Sequence, residues 1–329
     1  MRLSVFNRVV SGLILSAALL FVTGCGGGSS DERMTYDGVT TEAVMDFSNA
    51  EWLAMESFIN GKYGGVVGNT LAVQQVGAGE HPPRAVLLGE LFDDMLDKLE
   101  PLQSDTTESS LTAVKFSDKL NGRCGGVRTM SVEADPVSGT VSGSIYFTSY
   151  CENDITLSGV VFFDGSYNTA TKKLLTITLN VDTLSVATPN DLFTGQGTME
   201  FDRSSLPITV KMDMLVRDDT SGDIFWARDY VLTIDKGSDL TYGDYIEVTL
   251  SGRFYGPHIG YVEINTSIPI RTYFVHRWPL YCEMTVTAKN KNGNIAKATL
   301  SALSASGYMV DIDLGKLGKK TVTGNWEDI

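Results

Sequence analysis

Cationic residues, histidines and cysteines are all scarce in this 329-residue chain. It carries 26 Lys and Arg against 40 Asp and Glu, a formal charge of −14, with three histidines and four cysteines. So acidic a surface repels phosphate backbones and anionic headgroups, which disfavours nucleic acid as a partner and electrostatic docking on lipid. Enzyme signatures are missing too: there is no G-x-S-x-G elbow, no H-E-x-x-H pair, no phosphate loop and no dinucleotide fingerprint. His81, His258 and His276 lie far apart, and two of them adjoin prolines. Neither a catalytic triad nor a zinc set follows from them, and the chain reads as non-enzymatic with no cofactor.

Long apolar runs are lacking except for Val9 to Val22, fourteen uncharged residues behind Arg2 and Arg8. A membrane-spanning helix needs about 20. A basic start, a short greasy middle and small residues at the end have the shape of a secretory signal. An uncleaved anchor, or a secreted protein with a chance cysteine, would share that shape.

The run ends in Val22-Thr23-Gly24-Cys25, which resembles the lipobox of bacterial lipoproteins. The resemblance implies cleavage after residue 24, a diacylglyceryl group on the Cys25 sulfur and acylation of the new amino terminus. One acyl chain binds a membrane only marginally, whereas several anchor it durably. In that family an aspartate after the cysteine favours inner-membrane retention. Gly26 stands here, so the resemblance implies the outer membrane of a Gram-negative envelope. Loss of Arg2 and Arg8 takes the formal charge to about −16. Residues 25–35, with the Gly26 to Ser30 tract, form a flexible linker.

Residues 36–112 read as helical. Ser48 can cap a helix with Glu51 reaching back to it, Phe47 and Trp52 occupy hydrophobic-staple positions, and Gly61 would stop the helix after Asn60. The stretch YDGVTTEAVMDFSNAEWLA resembles the opening of other β-rich envelope lipoproteins, a likeness that brings no activity with it. A second, amphipathic helix over 84–100 places Leu88, Leu91, Phe92, Met95, Leu96 and Leu99 on one stripe. That stripe needs a cover. QSDTTESSLT, residues 103–112, is a polar boundary.

Over 113–329 the period changes to two. Ile208, Val210, Met212, Met214 and Val216 alternate with polar or outward neighbours, as do Leu175, Ile177, Leu179 and Val181. Roughly a dozen strands joined by turns such as Asp135-Pro136-Val137-Ser138-Gly139 predict an antiparallel meander. A sheet of more than about ten strands curls or closes, so the expected fold is a curved sheet or half-open barrel with the amphipathic helix on it. Ser-Gly pairs at Ser142-Gly143, Ser158-Gly159 and Ser251-Gly252 are read as points of curvature.

A turn centred between Val137 and Ser138 pairs Met130 with Ile145 and Val132 with Gly143 on one face. On the other it pairs Ser131 with Ser144 and Glu133 with Ser142. Carried outward, the same register opposes Cys124 and Cys151. Opposed Cα atoms lie about 4.5–5.5 Å apart, within disulfide range. A structural disulfide follows, leaving Cys282 as a buried small hydrophobe beside Met284 and Val286.

Two clusters remain. Asp218, Asp219 and Asp223 offer oxygens to a calcium ion but lack the EF-hand spacing, and the same residues suit a solvated turn. TYFVHRWPLYC gathers Tyr273, Phe274, His276, Arg277, Trp278 and Tyr281, rings and a cation of the kind enriched at binding hot spots. They equally suit an edge segment whose rings cap the sheet, since Pro279 interrupts a central strand. Three functions are therefore expected. The first is a lipid-anchored envelope protein binding a hydrophobic ligand on its curved sheet. The second is an adhesion module binding glycan or protein through 273–281. The third is an outer-membrane β-barrel.

Overall fold

The computed structural model describes residues 33–58, 114–152, 155–171, 173–187, 192–273, 275–276 and 278–328. Outside them lie the signal-like run, Cys25 and its linker, His81, the helix expected over 84–100, the stretch 103–112, Phe274 and Arg277. Among the described residues no helix is long and apolar enough to cross a membrane.

Fourteen strands form one antiparallel sheet in sequence order. They are β1 (Val114–Asn121), β2 (Gly125–Asp135), β3 (Thr140–Glu152), β4 (Ile155–Tyr167), β5 (Leu174–Ala187), β6 (Leu192–Asp202), β7 (Ile208–Asp218), β8 (Ile224–Asp239), β9 (Gly243–Gly256), β10 (Gly260–Tyr273), β11 (Tyr281–Lys289), β12 (Ile295–Ser304), β13 (Gly307–Asp313) and β14 (Lys319–Asn325). Every strand pairs only with its neighbours in sequence, and β1 does not meet β14. The meander is therefore open, and the closed barrel required by the third expectation does not form among these strands.

The hairpins are built by a recurring local device. The Asp135 carboxylate accepts the N–H groups of Val137 and Ser138 at 2.8 and 3.3 Å, and Gly139 follows in the left-handed region at φ 69°. Asp218 does the same for Thr220 and Ser221, and Asp239 for Thr241 and Tyr242, each with a glycine four residues on. A short side chain bonding its own turn, then a residue free to take positive φ, is what a tight reversal requires.

The β2–β3 register is the expected one from Asp135↔Thr140 to Val127↔Thr148, including Met130↔Ile145 and Val132↔Gly143. It slips by one before Gly125↔Cys151. The disulfide still forms, with the Cys124 and Cys151 Cα atoms 5.0 Å apart. In the chain-entropy picture a loop of this length contributes roughly 3–4 kcal/mol.

That slip belongs to a band of irregularities crossing the middle of the sheet. The register shifts in every neighbouring pair from β2 to β9 except β6–β7. Two of the three Ser-Gly pairs lie on it: Gly159 and Gly252 have φ of 135° and 139°, against the backbones of Thr183 and of Asp229 and Tyr230. Gly143 is off the band and makes room for the Phe163 ring instead. Each bulge adds twist and bends its strand, so a row of them curves the whole sheet.

The inner face is continuous and apolar. Met130, Ile145, Val161, Val210, Leu232, Val262, Met284, Val286, Leu300 and Val310 are all within 3% of complete burial. Tyr230 shares this face and is also buried, yet its hydroxyl has no hydrogen-bond partner. Cys282 lies among Met284 and Val286 as expected, and burial pushes its thiol up to about 12.

The amino-terminal segment straps the other end of the sheet. Its backbone bonds Tyr261 through Thr41 and Ala43, and Lys289 through Ala43 and Met45, at 2.7–3.1 Å. The β10–β11 ladder ends two residues short of both, at Glu263↔Thr287, so the segment occupies the gap where these strands part. Helix α1 (50–58) follows and buries Ala50, Leu53, Ala54 and Phe58 in the core. Its cap differs from the one expected. Asp46, not Ser48, receives the N–H groups of Ser48 and Asn49, while Glu51 accepts from the Tyr308 hydroxyl at 3.1 Å. Trp52 is exposed rather than stapled to Phe47. Phe58 packs on Trp326, which also meets Tyr308 and stacks on Trp278 at 5.6 Å.

Two measurements check this interior. An unpartnered buried hydroxyl costs about 1–3 kcal/mol, so Tyr230→Phe, which keeps the ring, should raise unfolding stability by about 1 kcal/mol; a loss would mean the hydroxyl is bonded after all. Thiolate is the reactive form of cysteine, so Cys282 should resist iodoacetamide at pH 8 while folded and react once urea has unfolded the chain. Fast labelling of the folded protein would place that thiol at the surface.

Candidate functional site

The segment 273–281 does not lie on an edge. It joins β10 to β11 in the interior of the strand order, with Pro279 in the connection rather than in a strand. Its residues also part company. Trp278 turns to the core, 7% exposed and stacked on Trp326, so it packs the fold and does not belong to a surface. Tyr273 is 1% exposed. Tyr281 is half exposed and lies on the outer face.

What the surface does hold is built across three strands. Arg271 on β10 is opposed to Glu247 on β9 and bonds its carboxylate from Nε at 2.7 Å. The guanidinium lies over the Tyr245 ring at 4.3 Å and near Tyr281 at 5.6 Å. Tyr273, paired with Tyr245, donates its hydroxyl to Asp239 at the β8–β9 turn, and Arg271 reaches the same phenol oxygen at 3.5 Å. Tyr242, 40% exposed at that turn, packs on Tyr273 and on His276 with centroids 5.0 and 5.5 Å apart.

The charges are fixed by these bonds. The Tyr273 hydroxyl, followed by the Tyr242 and Thr241 N–H groups, holds the Asp239 carboxyl below the usual carboxylate range. Asp239 in turn raises the Tyr273 phenol, so that group stays protonated and remains a donor. Bonding to Tyr273 and Glu247 raises Arg271 above an already high value, leaving it charged at every working pH. The guanidinium, over one tyrosine ring and near a second, can donate to and stack on a partner, and the carboxylates beside it can accept.

Sequence reading found Tyr273, His276 and Tyr281 here and missed Asp239, Tyr242, Tyr245, Glu247 and Arg271. Four of these eight come from β8, β9 and the body of β10, a fifth, Tyr242, from the β8–β9 turn, and only the three-strand register brings them to the connection. The one signal available was the tyrosine-rich turn DLTYGDY, residues 239–245.

The carboxylates of the acidic hairpin already have partners. Asp218 is occupied by the N–H groups of its own loop, which hold its carboxyl below the ordinary range. Asp219 bonds Arg217 and Thr194 at 2.6 Å each, and Asp223 lies 3.1 Å from His258. Among the described residues no three His, Cys, Asp or Glu side chains come together to hold a metal.

Replacing Tyr273 with Phe removes the largest cause of the Asp239 depression. Its carboxyl titration, followed by NMR, should then move up toward about 3.9, the ordinary aspartate value. An unmoved titration would mean that the phenol does not bond this carboxylate in solution.

Compared with protein-family models, curated proteins and solved structures, the chain matches none, so the functional reading of this surface rests on its own geometry.

Proposed function

We propose that this chain is a lipid-anchored, non-enzymatic envelope protein that binds saccharide on the outer face of its sheet, at the cluster around Arg271. One observation carries the reading: Arg271 is held over Tyr245 and near the half-exposed Tyr281, and bonded to Glu247, on a face open to solvent. Sugar rings present apolar C–H faces that suit aromatic stacking and hydroxyls that bond carboxylates and guanidinium groups. Aromatic side chains and arginine are also the residues most enriched at binding hot spots. The address comes from the lipobox-like Val22 to Cys25, which would tether the domain to the membrane.

The hydrophobic-ligand reading has weaker support. A lipid carrier needs an unfilled apolar hollow. Here Met130, Ile145, Val161, Val210, Leu232 and Met284 are fully buried, so the inner face is already covered.

The test uses the full mature chain with Cys25→Ser, purified without detergent, and calorimetric titration with neutral oligosaccharides. Binding is expected, and Tyr281→Ser should weaken it more than tenfold, as loss of a hot-spot ring does, with no change in melting temperature. Binding that survives both Tyr281→Ser and Tyr242→Ser, or an absence of binding to every saccharide tried, would overturn the proposal. A persistent need for detergent would point to the membrane instead.

A further inference from the structure

The outer face that carries Arg271 continues along the same three strands to a second cluster. On β9, Ile246, Val248, Leu250 and Phe254 face the core, which leaves Tyr245, Glu247, Thr249, Ser251 and Arg253 outward. At about 3.3 Å per residue, the six steps from Glu247 to Arg253 cover roughly 20 Å of strand.

At that far end three rings stand side by side across the sheet. Trp226 on β8 and Tyr261 on β10 are both register partners of Tyr255 on β9, with centroids 4.9 and 5.2 Å from it. The next outward pair is Arg228 opposite Arg253. Their guanidinium groups lie 4.7 Å over Trp226 and 5.3 Å over Tyr261. Glu263 accepts from Arg253 at 3.4 Å.

Beside this row the surface sinks into an open cavity of about 260 Å³ lined by Asp229, Gly252, Arg253, Glu263 and Ile264. It lies on the band of bulges: Asp229, at φ 53°, and Gly252, at φ 139°, both line it, at the register shift between Arg228↔Arg253 and Val231↔Ser251. A left-handed aspartate persists only where its surroundings enforce it, and such positions cluster at ligand sites.

We infer that this cavity is a second saccharide subsite, and that the two ends of the face bind one extended, neutral polysaccharide strand; the inference rests on the saccharide reading of the Arg271 cluster. The cavity is open to solvent and smaller than the roughly 300 Å³ of pockets that enclose drug-sized molecules, so a sugar ring would lie against it without being enclosed. The Asp229 and Glu263 carboxylates accept from hydroxyls and the Arg253 guanidinium donates, while the aromatic row beneath, covered by Tyr36, fixes Arg228 and Arg253 in place. Between the two ends the outward side chains include the polar Thr233, Thr249, Ser251 and Asn265 and the apolar Val231 and Ile268. Charge decides the class of polymer. Arg228, Arg253 and Arg271 each face a carboxylate, Asp229, Glu263 and Glu247. Asp235 and Asp239 add carboxylates in excess of the arginines on this face, which disfavours a polyanion.

The experiment is titration of the detergent-free Cys25→Ser chain with neutral glucan, mannan and N-acetylglucosamine oligomers of graded length, and with a polyuronate as the anionic control. Once an oligomer exceeds the roughly 20 Å gap, a linked second contact should tighten binding about a hundredfold. Arg253→Gln combined with Asp229→Asn should return long oligomers to short-oligomer affinity without unfolding the chain, since Asn tolerates positive φ. Tyr281→Ser should do the same from the other end. Length-independent binding that Tyr281→Ser abolishes and the Arg253 and Asp229 changes leave intact would overturn the second subsite while sparing the first. Preference for the polyuronate would overturn the neutral class, and no binding by any oligomer would overturn both readings.

Discussion

An open sheet of fourteen strands has to bend if its apolar face is to leave water. A flat sheet of that width would expose a row of side chains from β2 to β13, and each buried branched or aromatic side chain contributes roughly 1.5–3 kcal/mol only if it is covered. Curvature is thus the condition on which the core depends. It is supplied by the band of register shifts through β2 to β9, where an extra residue on one strand meets a glycine or a strained residue on the next. The same device shapes the outer face. The Asp229 and Gly252 irregularity in that band also lines the depression on the solvent side.

The N-terminal segment answers a related problem. Where β10 and β11 part, four backbone groups would be left without partners, and Thr41 to Met45 supplies them. Buried backbone groups are almost always paired, so the strap completes the sheet as well as leading α1 onto the core. Met34 bonds Gln196, and Tyr36 lies on Trp226 and Tyr255 and bonds the Gly256 carbonyl at 2.8 Å. The strap therefore runs beside the aromatic row of the outer face.

Local chemistry made much of the fold legible in the sequence, and long-range register hid the rest. The alternation of Ile208, Val210, Met212 and Met214, the Asp-to-Gly turns and the Cys124–Cys151 pairing all depend on residues close along the chain, and each could be read directly. The band of bulges could be read only at Gly159 and Gly252, because a shift at Ser149 or Asp229 leaves no mark on composition. Ser48 looked like a cap, but Asp46 lay two residues earlier with a better acceptor. The aromatic segment misled for a physical reason: adjacent residues in a loop leave in opposite directions. Trp278 found the core that Trp326 needed, while Tyr281 went outward to Arg271 on the neighbouring strand. No periodicity announces that Arg271 will lie over Tyr245.

The outer face also explains how so acidic a chain can use arginine for recognition. An isolated guanidinium on a surface of charge −14 would be drawn to whichever carboxylate it reached first. Arg271 and Arg253 are committed instead, each by a cross-strand glutamate on one side and a tyrosine face on the other. Pairing cancels their charge at long range, and stacking fixes the plane of their remaining N–H groups. Such a group no longer attracts anions from a distance. It offers oriented donors at contact, which is the requirement for recognising an uncharged partner by shape and hydroxyl pattern rather than by field.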